Sequence, residues 1–265
     1  MKYVGSAVVA ILVSAGSAIA APVDLSTWSV EQGPGSQPPG NWALAADNNS
    51  VRQTVNSQVS VFYDGASSSQ GLALSGSIEV NTSGDDDFVG FVLGMDAGEI
   101  DGSAGSVDYW LIDWKQRTQS SGGRVAEAGL ALTHVTTATT DELDFWSHSG
   151  TGFNEVQRAT NLGNTGWVDF QEYTFELTFT ETLIEVAVDG VTELSFSAAD
   201  NGALFQDGGF GFYNYSQGVV DYAGITEEVL PPMDEEPAVI PLPASLPLAL
   251  AGMAVLGLVR RARRS

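Results

Sequence analysis

Cysteine is absent from all 265 residues, so neither a disulfide nor a thiolate can serve this chain, and its stability has to come from a hydrophobic core or bound ions. Histidine is nearly absent as well. His134 and His148 alone are too few for a histidine-rich zinc site. Positive charge is scarce: ten Lys and Arg stand against 33 Asp and Glu, a formal net charge of −23 at pH 7. Lys2, Arg260, Arg261, Arg263 and Arg264 lie at the two ends, which leaves Arg52, Lys115, Arg117, Arg124 and Arg158 among the carboxylates. Such a surface repels phosphate backbones, which excludes nucleic acid as a partner and favours divalent cations. A sustained helical period is missing too, and so is any repeat of solenoid or propeller length.

What the two ends do contain reads as addresses. Met1-Lys2-Tyr3 precedes an apolar stretch from Val4 to Ile19 that closes on Ser17-Ala18-Ile19-Ala20-Ala21, the layout of a secretory signal peptide over residues 1–21. At the other end, Pro231-Pro232-Met233-Asp234-Glu235-Glu236-Pro237 forms a stiff acidic linker, taken as residues 231–239. Residues 240–265 then hold an apolar run, Leu246 to Val259, stopped by Arg260-Arg261-Ala262-Arg263-Arg264. Ile240-Pro241-Leu242-Pro243-Ala244 resembles the Val-Pro-Leu-Pro-Ala subgroup of bacterial exosortase-type sorting signals. That resemblance implies a Gram-negative host, exosortase-type processing machinery as a partner, and transfer to the cell surface or extracellular matrix. The transmembrane segment would then touch the membrane only before processing.

The body between them, residues 22–230, is long enough for one sizeable core. It alternates short Val, Ile, Thr and aromatic runs with Gly, Asn, Asp and Ser clusters, the pattern of an all-β sandwich of antiparallel sheets. The clearest run is Tyr173-Thr174-Phe175-Glu176-Leu177-Thr178-Phe179, strictly apolar and polar in turn. Ile184 to Val188 repeats it, and Asp189-Gly190 supplies a tight hairpin turn into Val191 to Phe196. Further strands are expected at Val59 to Tyr63, Leu72 to Val80, Phe88 to Leu93, Val107 to Gln116, Gly129 to Val135, Gly209 to Tyr215 and Val219 to Thr226. One short helical turn, Asp141 to Trp146, has Asp141 as its cap.

Asp85-Asp86-Asp87 runs directly into Phe88-Val89-Gly90-Phe91-Val92-Leu93. Three adjacent carboxylates repel one another unless a cation holds them, and calcium is the hard, oxygen-seeking candidate. Neighbouring strand residues point to opposite faces, so two of the three would bind unless the chain leaves strand geometry at Ser83-Gly84. Other chemistry is weakly marked. Glu99-Ile100-Asp101 has the start of a Glu-x-Asp-x-x-Glu glucanase strand but carries Ala104 at the third position, and Asp144, Ser147 and His148 have no nucleophile elbow.

In order, Asp85 to Gly94, Tyr109-Trp110-Leu111-Ile112-Asp113-Trp114-Lys115-Gln116, Gly166-Trp167-Val168-Asp169-Phe170, Gly208-Gly209-Phe210-Gly211-Phe212 and Val220-Asp221-Tyr222 resemble the thrombospondin C-terminal domain family. The resemblance implies a lectin-like (concanavalin-like) jelly-roll sandwich, calcium at Asp85, Asp86 and Asp87 with Asp169 as a further ligand, and non-catalytic adhesion or matrix work with an extracellular polysaccharide or a surface glycan or protein as partner. The alternative is a carbohydrate-active hydrolase on the same sandwich. Two departures limit the transfer: no Asp-rich repeats precede Asp85, and Asp113 stands where the family has an apolar residue. By strand parity Trp110, Ile112 and Trp114 form core, while Tyr109, Asp113 and Lys115 are expected to line an open, ligand-binding sheet face. Tyr213 and Tyr215 are expected to add an exposed platform for sugar rings.

Overall fold

Strict alternation in the segment around Phe175 gives a sheet with one wet and one buried face, as seen in the computed structural model, which describes residues 20–66 and 68–231. The first third of the chain forms β1 (Ala21–Pro22), β2 (Ser29–Gln32), β3 (Trp42–Leu44), β4 (Val51–Gln53), β5 (Ser60–Tyr63), β6 (Leu72–Val80) and β7 (Phe88–Met95). The middle adds β8 (Tyr109–Lys115), β9 (Gln119–Ser121), β10 (Arg124–Ala126), β11 (Gly129–Val135), helix α1 (Glu142–Ser147) and β12 (Phe153–Arg158). Then come β13 (Glu172–Phe179), β14 (Leu183–Val188), β15 (Val191–Ser197), helix α2 (Ala198–Asn201), β16 (Gly209–Tyr215) and β17 (Val220–Val229).

Two large antiparallel sheets result. One runs β15-β14-β13-β6-β17-β4-β3, with β1 added on β17; the other runs β12-β11-β8-β7-β16-β5-β2. Sequential hairpins supply β13 to β15, and at the turn into β15 both Asp189 (φ 50) and Gly190 (φ 75) adopt the left-handed conformation that twists with the flanking strands. The expected strands Leu72 to Val80, Gly129 to Val135 and Gly209 to Tyr215 have those bounds. β17 runs three residues beyond Thr226, because a register shift between Ala223 and Thr226 lets it keep pairing with β6. Asp141 does cap α1, its Oδ1 accepting from Leu143 N at 3.0 Å.

The inner faces meet in one core that includes Phe91, Trp110, Ile112 and Trp114 from one sheet and Phe175, Leu177 and Phe179 from the other. The parity assignment of the tryptophan face is therefore met. The opposite face is a correction. Every residue of β7, β8 and β16 is buried, because α1 and the preceding loops cover the outside of their sheet. A second core lies there, in which Phe88, Val92, Tyr109, Leu111 and Tyr213 pack with Phe145 and Trp146 of α1. Full burial of a large apolar side chain is worth roughly 1.5–3 kcal/mol, so this second layer adds substantially to the stability of the fold.

The leader, linker and sorting segment lie outside the described residues, apart from Ala20, Ala21 and Pro231. Among the described residues no helix is long and apolar enough to cross a membrane; the expected span at Leu246 to Val259 is not among them.

Candidate functional site

Asp85, Asp86 and Asp87 stand in irregular backbone immediately before β7 begins at Phe88. Freed from strand parity, all three carboxylates turn together, and one ligand oxygen from each lies within 4.8 Å of the others. The expectation that only two converge is thus replaced by a corner of three.

Part of the cation they need is already supplied by the protein. Lys115, at the end of β8, is wholly buried, and its Nζ lies 2.5 Å from Asp87 Oδ1. The same ammonium donates to Gln119 Oε1 (2.6 Å) and to the Asp86 carbonyl (3.2 Å), and it faces the rings of Trp146 and Phe88 at 4.5 and 4.9 Å. Gln119 closes the loop by donating Nε2 to Asp86 Oδ1 at 2.5 Å. Arg117 is more distant, with Nε 4.0 Å from Asp86 Oδ2 and its side chain exposed.

Among the described residues Asp85 has no such partner cation. Burial, then the charge of Asp87 and a hydrogen bond with it, push its carboxyl up to about 6. Its neighbour Asn56 donates Nδ2 to Asp85 Oδ2, while Asn56 Oδ1 is buried without a partner among the described residues. The three convergent carboxylates, with this amide oxygen nearby, are hard oxygen donors of the kind calcium takes, so these residues fit part of its shell. The raised value also fixes a pH response. A carboxyl raised in the fold stabilises fully below its ordinary 3.8, and that contribution is lost as pH rises through about 6. Between those values the stability of the metal-free protein is therefore expected to fall relative to that of the Asp85→Asn variant; parallel urea unfolding series check this.

Asp169 is not among the three carboxylates that converge. Its Oδ1 accepts from Gln116 Nε2 at 2.9 Å, and the preceding Gly166 leaves room where a Cβ would fall 1.9 Å from the Gln116 carbonyl. Trp167, between them, donates Nε1 to the carbonyls of Asp87 and Trp114, both at 3.1 Å, so this loop braces the corner. Of the residues expected on an open face, Tyr109 and Asp113 are each 1% exposed, Tyr213 is fully buried and Tyr215 is 4% exposed. Tyr109, Asp113 and Tyr213 offer no free platform, because α1 and its C-terminal His148 lie over them, while Tyr215 presents an edge to a cavity beside the corner.

Asp113 has a different task. His148, in the left-handed conformation that ends α1 (φ 49), places Nε2 at 2.9 Å from Asp113 Oδ2 and Nδ1 at 3.0 Å from Glu155 Oε2. Burial works against the imidazolium, yet the charge and hydrogen bond of Asp113 with those of Glu155 raise it to about 9. The departure at position 113 is explained by this clamp. The other two members of the weighed triad go elsewhere: Ser147 Oγ bonds the Leu143 carbonyl, and Asp144 holds Arg124 and Thr139. Glu99 bends back to accept from Asp96 N and Asp108 N, both at 2.7 Å, inside a turn.

Asn56, Gln119, Glu142 and Trp146 were invisible to spacing, since each reaches the site from a distant segment. The run Phe88 to Leu93 does carry one usable signal: unbroken apolarity is the mark of a strand buried on both faces.

Two antiparallel sheets sharing one core, with an acidic corner at the start of a central strand, define a lectin-like sandwich. The thrombospondin C-terminal region family matches residues 37–229, and the chain belongs to that family. It is 28% identical over 203 residues to thrombospondin-2 of Gallus gallus and 27% identical over 204 residues to thrombospondin-2 of Homo sapiens. Each match covers 71% of this chain but only 16% of the relative's length. Among solved structures, a Bacillus subtilis carbohydrate-binding module, CBM66, superposes with a TM-score of 0.48 at 9% identity, over 76% of this chain and 95% of its own. A Bacillus subtilis protein of unknown function with a galectin-like fold gives 0.49 at 8% identity, over 80% and 94%. Likenesses this slight decide nothing about ligands.

Proposed function

We propose that this chain is an exported, surface-sorted binding module that takes calcium at the Asp85 corner and works without catalysis in adhesion or in holding extracellular polysaccharide. The carrying observation is the corner itself: three convergent carboxylates, one internal lysine, and an orphaned Asn56 oxygen. Asp85, Asp86 and Asn56 would hold the ion, while Asp87 stays with Lys115. Calcium supplies charge neutralisation and fixes the lead into β7. Membership of the thrombospondin C-terminal family supports the binding role, and the Met1 to Ala21 and Ile240 to Arg264 segments support export and exosortase-type sorting in a Gram-negative bacterium.

Hydrolysis finds little footing. A cavity beside the corner is lined by two carboxylates, Asp87 and Glu142. Asp87 is neutralised by Lys115, and Glu142 accepts from Ser36 and Tyr215, so neither stands as a free acid and nucleophile pair.

Calcium at a hundredfold excess over its Kd is expected to stabilise by about 2.7 kcal/mol, roughly 5–10 °C in melting temperature for a domain of this size. The Asp85→Asn/Asp86→Asn double variant should show no calcium-dependent shift. Equal shifts in both proteins would remove the metal from this corner, and a glycan array run with and without calcium would then test the binding role alone.

A further inference from the structure

The cavity beside the acidic corner has a volume of about 400 Å³, within the range of small-ligand clefts, roughly 300–1,000 Å³. Its walls come from separate parts of the chain: the lead-in loop at Ser36, the β9 hairpin at Gln119 to Ser121, helix α1, and the end of β16. They are fastened to one another. Ser36 donates from both N and Oγ to the Glu142 carboxylate at 3.2 Å, and Arg124 of β10 binds Asp144 at 2.5 Å and Asp141 at 2.9 Å around α1. The opening is therefore preformed rather than made by an arriving ligand.

Its chemistry is selective. Hydroxyls come from Ser36, Ser120, Ser121 and Ser216, and amides from Gln37 and Gln119. Asp87 and Glu142 add acceptors, while Trp146, Tyr215 and Leu143 add apolar surface. Among the described residues no lysine or arginine lines it. Lys115 lies behind Asp87 with its ammonium already saturated, so among the described residues the cavity lining meets an anionic ligand with carboxylates and no cation. A polyol instead can donate to the carboxylates and exchange bonds with the serine and amide groups, meeting only the edges of Trp146 and Tyr215. Trp146 is 8% exposed and contributes only an edge to this wall, its indole nitrogen being buried.

We infer that this cavity is the glycan seat of the module and that it takes one end of an uncharged saccharide, not a uronate, sulfate or phosphate. The inference rests on the glycan-holding role proposed above and gives it a place and a charge class. Ser120 and Ser121 are exposed hairpin residues, so a bulky side chain there can fill the opening without disturbing the core.

Calorimetric titration of the full chain with cellohexaose, mannohexaose and the polyanion alginate tests it, using the unaltered protein and the Ser121→Trp and Ser120→Trp variants, with melting temperatures recorded for each. The expected result is binding of a neutral hexasaccharide that falls at least tenfold in both variants at unchanged melting temperature. Neutral binding that survives both substitutions, or binding of alginate alone, overturns the cavity while leaving the glycan-holding role intact. Absence of binding to all three probes overturns both together.

Discussion

Replacing Lys115 by methionine is expected to cost about 3–5 kcal/mol of folding stability, a large share of the roughly 5–15 kcal/mol a domain usually has. The methylene stem would be replaced almost in kind, so the loss would not come from packing. It would come from Asp87, 5% exposed, left charged beside Asp85 and Asp86 with its ammonium partner gone. The Lys115→Met/Asp87→Asn double variant should recover most of the loss, because removing both charges leaves no uncompensated group. Urea unfolding of the three proteins reads this directly. The single variant should also gain most from added calcium, since three carboxylates would then face the ion. A loss below about 1 kcal/mol in Lys115→Met would place the pair among exposed ion pairs and remove its role as internal counter-ion.

That role shows where sequence reasoning carries and where it stops. Strand identity is a local property: alternation in Tyr173 to Phe179 and the Asp189-Gly190 turn are enough to place β13 to β15, and the tryptophan face of β8 follows from parity. What covers a sheet is not local. Whether Tyr109, Asp113 and Lys115 meet solvent depends on α1, about 30 residues further on, and on Ser36, which ties itself to Glu142 across 106 positions. The charge problem posed by three aspartates was legible, yet one of its answers, a lysine on the adjacent strand, emerges only when β7 pairs with β8 so that Phe88 faces Lys115. Short strands such as β3, β4 and β9 have three residues each, too few to display a period.

A second large effect is expected at His148, the C-terminal end of α1. Asparagine tolerates the left-handed backbone that this position requires, so His148→Asn removes the imidazolium without adding backbone strain. Asp113, 1% exposed, would keep its charge and lose its cation, whereas Glu155 would retain Arg158 at 2.9 Å. The expected cost at pH 6 is about 3–5 kcal/mol. Its pH dependence separates charge from packing. A base raised in the fold gives its full stabilisation below its ordinary 6.5 and loses it as pH rises through about 9. Above that value the unaltered protein has lost its own imidazolium, so the two unfolding curves should converge by pH 10. A gap of constant size from pH 6 to pH 10 would instead assign His148 a packing role. If the charge is what holds, the clamp also fixes the end of the helix that carries Trp146, the residue whose ring lies over Lys115 and whose edge walls the cavity. The acidic corner and the proposed glycan seat then depend on a buried ion pair that touches neither ligand, and His148→Asn should weaken calcium stabilisation measurably at pH 6 while leaving every carboxylate of the corner in place.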